Sequence, residues 1–97
     1  MQFLITAYDG TDEEAPIRRQ AAREAHLELG DKMKAAGSML YAAAILDDAG
    51  NMIGSSVICS FDSRAEVYQW LNQEPYVVGE VWKDVKVEPC KVGPSFN

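Results

Sequence analysis

Two apolar runs on either side of a short polar turn constrain the fold of this chain more than any other feature. The segment SMLYAAAILDDAGNMIGSSVICSF carries the turn-forming residues Asp47, Asp48, Gly50 and Asn51 near its centre. Short apolar runs that flank such residues are typical of a β-hairpin. A hairpin in the middle of the chain predicts an antiparallel sheet, and the segments before and after it must supply the other strands and the helices.

The segment before the hairpin predicts one strand and one long helix. MQFLITAYDG alternates two sets of residues on the two faces of a first strand. Either Thr11 or Asp12 is expected to cap the helix that follows. That helix is expected to run to about Ala36, where Gly37 ends it.

The segment after the hairpin predicts a shorter helix and a last strand. Ser63 and Glu66 match a capping box, so SRAEVYQWLNQ is expected to be helical. Pro75 disfavours helix at Glu74 and ends it there. VWKDVKVEP alternates as a strand, and KVGPSFN is expected to be a tail.

The predicted order is strand, helix, strand, strand, helix, strand, in a single domain of residues 1–97. This is the α+β, ferredoxin-like βαββαβ pattern, in which an antiparallel sheet carries two helices on one face. The first strand and MLYAAAIL are apolar on both faces, whereas two helices cover only one. A second copy of the chain is the simplest cover for the other face. We therefore expect a homodimer that forms a dimeric α/β barrel, with a higher assembly left open.

Charge and composition narrow the classes of partner and cofactor. The net charge of −6 argues against a nucleic-acid or anionic membrane partner, because phosphate binding needs a positive field. The absence of a long apolar run or a signal-like N-terminal segment predicts a cytoplasmic protein. One histidine and two distant cysteines do not supply a zinc site, and no glycine-rich phosphate-binding motif is present. The sequence therefore predicts no metal and no cofactor.

His26, the only histidine, lies four residues before Gly30 in the long helix. On a helical wheel that starts at Ile17, His26 falls at about 180°, just outside the arc predicted to be buried. It then either lines a pocket or is simply half-exposed. Gly30 either opens space beside the ring, kinks the helix or allows close packing on the sheet. Arg19 and Arg23 lie on the same border, and the arc predicted to be buried holds Ala21, Ala22, Ala25, Leu29, Met33 and Ala36.

Four short segments, taken together, resemble the YciI-like family. Its members carry R-x-x-H-L in the first helix, G-S in the third strand, then W-x-x-x-D-P-Y, then a V-W/Y-x-x-V-x-V-x-P strand. The order and spacing of the four segments make the resemblance specific, and it covers nearly the whole chain. The matching residues are Arg23, His26 and Leu27, then Gly54 and Ser55, then Trp70, Pro75 and Tyr76, then Val81, Trp82, Val85, Val87 and Pro89.

The resemblance implies a dimeric α/β barrel of ferredoxin-like subunits with a histidine–aspartate pair in a cleft. Most relatives have no assigned substrate, and some act in the breakdown of chlorinated aromatic compounds. Two departures stand out in this chain. Glu74 replaces the family's aspartate and is one methylene longer, and Ala42, Ala43 and Ala44 stand where Ala-Gly-Pro is frequent.

With these residues, Glu74 is expected to orient the imidazole of His26, and His26 to transfer a proton. Arg23, with Arg19, is expected to bind a substrate carboxylate or to stabilise an enolate. Ser55 is expected to hydrogen-bond substrate, and Tyr76 to close the pocket.

The function expected is cofactor-independent acid–base chemistry on a small organic molecule, such as an aromatic or lactone-like compound. Isomerisation, elimination and hydrolysis all fit a His–carboxylate dyad. The alternative is a non-catalytic dimeric barrel that binds a small ligand or serves as an accessory subunit, because a fold alone does not decide between these classes.

Overall fold

Four strands form one antiparallel sheet in the computed structural model, which describes residues 1–96. The strand order is β2-β3-β1-β4, so the first strand is central. The βαββαβ topology predicted from the sequence is confirmed, with two additional helical turns. The strands are β1 (Gln2–Asp9), β2 (Met39–Leu46), β3 (Met52–Ser60) and β4 (Trp82–Cys90), and the helices are α1 (Ala15–Ala36), α2 (Arg64–Leu71), α3 (Pro75–Val78) and a final 3-10 turn (Pro94–Phe96).

The core lies between the helices and one face of the sheet. Phe3, Ile5 and Ala7 of β1 are at most 1% exposed. Ile5, for example, pairs with Val57 of β3 and Val87 of β4. The predicted alternation of β1 is confirmed. Met33, Val67, Trp70 and Leu71 close the core from the helical side.

The buried side of α1 is rotated by roughly 60° from the predicted arc. Ile17 is 68% exposed, and the predicted core residues Ala21, Ala25 and Ala36 are exposed too. The prediction of those positions was wrong because an alanine methyl contributes little to burial and does not fix which face turns inward. The residues that turn inward are Ala15, Arg19, Ala22, His26, Leu29 and Met33.

The ends of α1 differ in how well the sequence predicts them. Glu14 is the N-cap, without a side-chain cap bond, so neither Thr11 nor Asp12 caps the helix. Both carboxylate oxygens of Asp12 instead accept hydrogen bonds of 2.7 Å from the guanidinium of Arg18. Gly37 ends the helix as predicted, with φ 84°, which is the left-handed region that glycine adopts without penalty.

The predicted capping box of α2 is present. The Ser63 hydroxyl accepts a hydrogen bond of 3.3 Å from the backbone nitrogen of Glu66. The Glu66 carboxylate reaches back to the backbone nitrogen of Asp62, one residue earlier than in the usual pattern. Helix α3 and the 3-10 turn were not predicted, because four- and three-residue turns leave no periodic signal.

The C-terminal segment crosses one end of the sheet on the face opposite the helices. The backbone nitrogen of Val92 donates to Gln2 Oε1 at 2.6 Å, and the Tyr41 hydroxyl donates to the carbonyl of Phe96. Within residues 1–96, no helix lies on the rest of this face, and Tyr8 and Tyr41 are 44% and 49% exposed. The dimer in which a second copy of the chain covers this face stays a prediction.

No helix in residues 1–96 combines the length and the apolar character needed to cross a membrane.

Gly54 and Gly30 provide a matched pair of substitutions with opposite expected signs. A Cβ on Gly54 would lie 2.5 Å from the carbonyl oxygen of Ala7, whereas a Cβ on Gly30 would meet nothing within 4 Å. We predict that Gly54→Ala lowers the free energy of unfolding by about 1–3 kcal/mol through overpacking. Gly30→Ala should raise it by about 0.5–1 kcal/mol through helix propensity. Urea unfolding of both variants measures the two changes, and a destabilised Gly30→Ala would show that Gly30 has a packing role.

The Asp12–Arg18 ion pair predicts a stability change in acid. The guanidinium hydrogen bonds lower the pKa of Asp12 from 3.8 to about 2. A lowered folded pKa contributes stability above the unfolded pKa, and that contribution disappears as pH falls through the folded value. The stability advantage of the wild type over Asp12→Asn should therefore shrink between about pH 4 and pH 2. Thermal unfolding from pH 6 to pH 2 checks this, and Arg18→Gln should flatten the profile in the same way.

Candidate functional site

His26 and Glu74 form a hydrogen-bonded pair between α1 and the segment before α3. His26 Nδ1 contacts Glu74 Oε1, and the two side chains are 17% and 1% exposed. An ionised carboxylate only accepts hydrogen bonds, so when Glu74 is ionised and the ring is neutral, the tautomer that fits this contact has its proton on Nδ1 and its lone pair on Nε2. No group in residues 1–96 bonds Nε2, so this nitrogen is available to a ligand.

The Glu74-Pro75-Tyr76 tripeptide explains how the carboxylate is held. Glu74 is the extended N-cap of α3, and Pro75 occupies the first helical position, where its missing N–H costs nothing. Oε1 of Glu74 accepts a hydrogen bond of 3.2 Å from the backbone nitrogen of Tyr76. The oxygen that orients His26 is therefore fixed by its own backbone. The catalytic role of the pair stays a prediction.

Aromatic rings hold the imidazole from two directions. The His26 ring stacks on Tyr76 with centroids 3.8 Å apart and planes 10° from parallel. Trp82 meets the His26 ring edge-on at 5.8 Å and Tyr76 at 5.6 Å. Tyr76 is 2% exposed, and burial raises the pKa of its phenol, so the hydroxyl stays protonated at neutral pH. The ring of His26 thus has one orientation defined by packing.

Arg19 is a buried cation held by the protein itself. Its side chain is 8% exposed, and Nη1 lies 3.1 Å from both oxygens of Asp9, which is 5% exposed. Nη2 donates to the Gly54 carbonyl and to Ser55 Oγ, each at 3.1 Å. The guanidinium also lies 4.7 Å from the centre of the Tyr76 ring. Most N–H donors of Arg19 already bind these protein acceptors. Contact of Arg19 with a substrate stays a prediction.

Ser55 Oγ accepts two hydrogen bonds, one from Arg19 and one of 3.1 Å from the indole nitrogen of Trp82. A hydroxyl has two acceptor positions and one hydrogen. Only the hydrogen of Ser55 is left for a ligand, so any contact with substrate would be a donated bond. The residue before Ser55 is Gly54, and a side chain would not fit there because β3 approaches the backbone of β1 too closely for a Cβ.

Arg23 differs from Arg19 in having no acidic partner within residues 1–96. Nη1 lies 3.4 Å from the sulfur of Met52, which is a weak acceptor. Arg23 is half-buried at the mouth of the cleft. It is therefore the cation best placed to receive an anion.

Two adjoining cavities surround these residues. The smaller, of about 190 Å³, is lined by His26, Tyr76, Ser55 and the two arginines, with Ala42, Ala43 and Ala44 of β2. The larger, of about 830 Å³, lies between the start of α1 and the hairpin turn. Gly30 lines neither cavity and is not closely packed, so it neither shapes the pocket nor lets the helix approach the sheet.

Sequence reasoning brought together most of this site but missed two contributors. Asp9 lies at the end of the first predicted strand and Trp82 belongs to the family's last-strand motif, and neither was predicted to be a site residue. The register of β1, β3 and β4 places both beside Ser55, and that register becomes visible only when the strands are paired. Within residues 1–96, no three metal-ligating side chains cluster closely enough to hold a metal ion.

The fold and the site define a class: small α+β proteins of ferredoxin-like topology with a histidine–carboxylate pair at a cleft. The chain belongs to the YCII-related domain family, whose model matches residues 1–91. The protein YciI of Escherichia coli is 32% identical over 97 residues, which is 94% of this chain and 97% of that protein. An uncharacterized protein of Haemophilus influenzae is 34% identical over 80 residues, 76% of this chain and 82% of its own.

Solved structures support the same fold. The 5-chloro-2-hydroxyhydroquinone dehydrochlorinase TftG from Burkholderia phenoliruptrix, in complex with 2,5-dihydroxybenzoquinone, superposes with a TM-score of 0.82 at 25% identity over all of both chains. Protein Atu4242 from Agrobacterium tumefaciens superposes with a TM-score of 0.51 at 14% identity, over 97% of this chain and 98% of its own. That second likeness shows the fold alone.

The Asp9–Arg19 pair predicts a large loss of stability when one partner is removed. Burial raises the pKa of Asp9, although the neighbouring guanidinium of Arg19 opposes the shift. Asp9→Asn leaves Arg19 buried without a counter-charge, which should lower the free energy of unfolding by about 3 kcal/mol. The double variant Asp9→Asn with Arg19→Met should recover part of the loss. Urea unfolding of the single and double variants measures this, and equal losses in both would mean that the ion pair is not the cause.

Proposed function

We propose that this protein is an enzyme that moves protons on a small hydroxylated ring, with His26 as the acid–base group and Glu74 as the residue that orients it. The observation that carries the proposal is the pairing of His26 Nδ1 with a buried carboxylate while Nε2 is left beside a cavity. A fixed tautomer with one free nitrogen is the arrangement that general acid–base catalysis needs.

The geometry supports proton transfer at Nε2. The neutral ring takes a proton from a substrate hydroxyl or carbon, and the Glu74 carboxylate stabilises the imidazolium that results. The same nitrogen returns the proton to another atom of the substrate or to water. The packing of His26 on Tyr76 keeps the ring in place during both steps, which limits the loss of rate from misplacement.

The size and chemistry of the smaller cavity favour a ring-shaped substrate. Its volume of about 190 Å³ lies below the range typical of drug-sized ligands. Tyr76 and the alanines of β2 supply apolar surface, while Ser55 can donate one hydrogen bond and Arg23 can bind a developing phenolate or enolate. Tyr76 lines this cavity, and its protonated phenol is a further donor for a ring hydroxyl.

The likeness to TftG supports elimination as the reaction when the ring carries a leaving group. On a chlorinated hydroquinone, the chlorine-bearing carbon is protonated as one hydroxyl becomes a carbonyl. A second hydroxyl then loses its proton, its electron pair forms another carbonyl, and chloride leaves. The net change is the loss of one proton and one chloride, with no oxidant or reductant, so His26 can serve as the proton carrier throughout.

Two measurements test the proposal. Calorimetry should detect binding of 2,5-dihydroxybenzoquinone, and a chloride electrode should detect chloride release from 5-chloro-2-hydroxyhydroquinone. We predict that His26→Gln lowers the rate by about 10²–10⁴-fold without unfolding the protein. Glu74→Gln should lower it as well, because a neutral amide does not stabilise the imidazolium.

Glu28→Gln is the matched control, since it is the same substitution at an exposed position of α1, and its rate should equal that of the wild type. Chloride release unaffected by His26→Gln would contradict the proposal. Binding of the quinone without turnover of any hydroxylated ring would favour the alternative function, a non-catalytic small-ligand-binding protein.

A further inference from the structure

The two cavities share a boundary that consists of two arginines and a methionine. Arg19, Arg23 and Met52 line both of them. The smaller cavity holds His26, and the larger extends toward the start of α1 and the tip of the β2–β3 hairpin. A ligand that fills only the smaller cavity leaves about 830 Å³ of adjoining space unused, which is within the range of whole small-molecule sites.

The acidic residues of the larger cavity are already neutralised or satisfied. Asp9 is paired with Arg19, and Asp12 is paired with Arg18. Asp47 accepts hydrogen bonds from the backbone nitrogens of Ala49 and Asn51 and from the side chain of Asn51. Of the two arginines that line this cavity, Arg23 is the one without a carboxylate or carbonyl partner in residues 1–96.

Several apolar side chains on the same cavity are partly exposed. Ile53, Met52 and Tyr8 are 37%, 41% and 44% exposed, and all three line the larger cavity with Ala15 and Pro16. Covering them with an apolar group would remove this surface from water. The cavity therefore combines one available cation at its inner end with apolar surface beyond it.

We propose that the ligand spans both cavities, with a ring against His26, a carboxylate on Arg23 and an apolar chain against Ile53 and Met52. This inference rests on the proposed function in taking His26 as the end of the cleft where the reacting ring lies. It adds that the natural substrate is an aryl-substituted carboxylic acid with an extended apolar substituent, larger than a single ring.

Charge favours a carboxylate over a phosphate in this position. A guanidinium matches a planar carboxylate with two parallel hydrogen bonds. A doubly charged phosphate would stand near three aspartates of the larger cavity with only one cation free to balance it, in a chain of net charge −6. A single negative charge is the better match.

Calorimetry with three probes tests the inference. The probes are 2-phenyloctanoate, which has all three parts, phenylacetate, which lacks the chain, and 2-phenyloctanamide, which lacks the charge. We expect 2-phenyloctanoate to bind at least tenfold more tightly than either of the others. Equal affinity for all three probes would overturn the inference.

Variants assign each part of the ligand to its cavity. Arg23→Met should remove the preference for the acid over the amide, while Lys32→Met, which also removes a cation from α1 at an exposed position, should not. Ile53→Gln should remove the preference for 2-phenyloctanoate over phenylacetate and leave the affinity for phenylacetate unchanged. Preferences that survive both Arg23→Met and Ile53→Gln would overturn the inference.

The outcomes also separate this inference from the proposed function. If single-ring compounds turn over through His26 but no probe prefers the chain or the charge, the two-cavity ligand is wrong and the acid–base function stands. If the probes bind as expected and no ring compound turns over, the ligand class stands without the catalysis. If Ile53→Gln instead changes self-association by sedimentation and weakens all probes equally, the larger cavity is a subunit contact and the inference fails.

Discussion

A carboxylate that is 1% exposed must be compensated by hydrogen bonds, and the structure around the cleft is organised by how Glu74 meets that requirement. One oxygen, Oε1, accepts from the backbone of Tyr76 and contacts His26 Nδ1. The first bond belongs to the cap of a single helical turn, and the second joins that turn to α1. Tyr76 also stacks on the imidazole. Three linked contacts therefore determine the position of the histidine ring.

The two arginines on the cationic side of the cleft differ in how their charges are compensated. Arg19 lies among Asp9, the Gly54 carbonyl and Ser55, and such a buried network is stable only while its members remain together. Among the described residues, the polar contact of Arg23, one helical turn further along, is with the thioether of Met52. Two arginines of the same helix thus have different consequences: one holds strands and helix together, and the other remains available for an incoming anion. The excess of acidic residues in the sequence does not neutralise Arg23, because Asp9 and Asp12 of the neighbouring cavity already have arginine partners.

Much of the fold could be predicted because local patterns and topology agree. The hairpin, the Gly37 stop and the Ser63 cap each have a local cause, and their order leaves one sensible α+β arrangement. The orientation of α1 could not be predicted, since Ala21, Ala25 and Ala36 suggested a face that is exposed, while Arg19 and His26, which turn inward, lay outside the predicted arc. Their burial depends on acceptors from residues 9, 54, 55 and 74, which are distant in sequence. For the same reason, the sequence pointed to His26, Glu74 and Tyr76 as site residues but not to Asp9, and it matched Trp82 to the family motif without predicting a role for it.

The indole of Trp82 gives the cleft an intrinsic optical reporter. It donates to Ser55, stands edge-on to both His26 and Tyr76 and is one of only two tryptophans in the chain. The other, Trp70, lies 6.4 Å from it, ring centre to ring centre, on the core side. Indole emission responds to nearby charge and to quinoid quenchers, so occupancy of the cleft and protonation of the imidazole can be followed by fluorescence without attaching a dye.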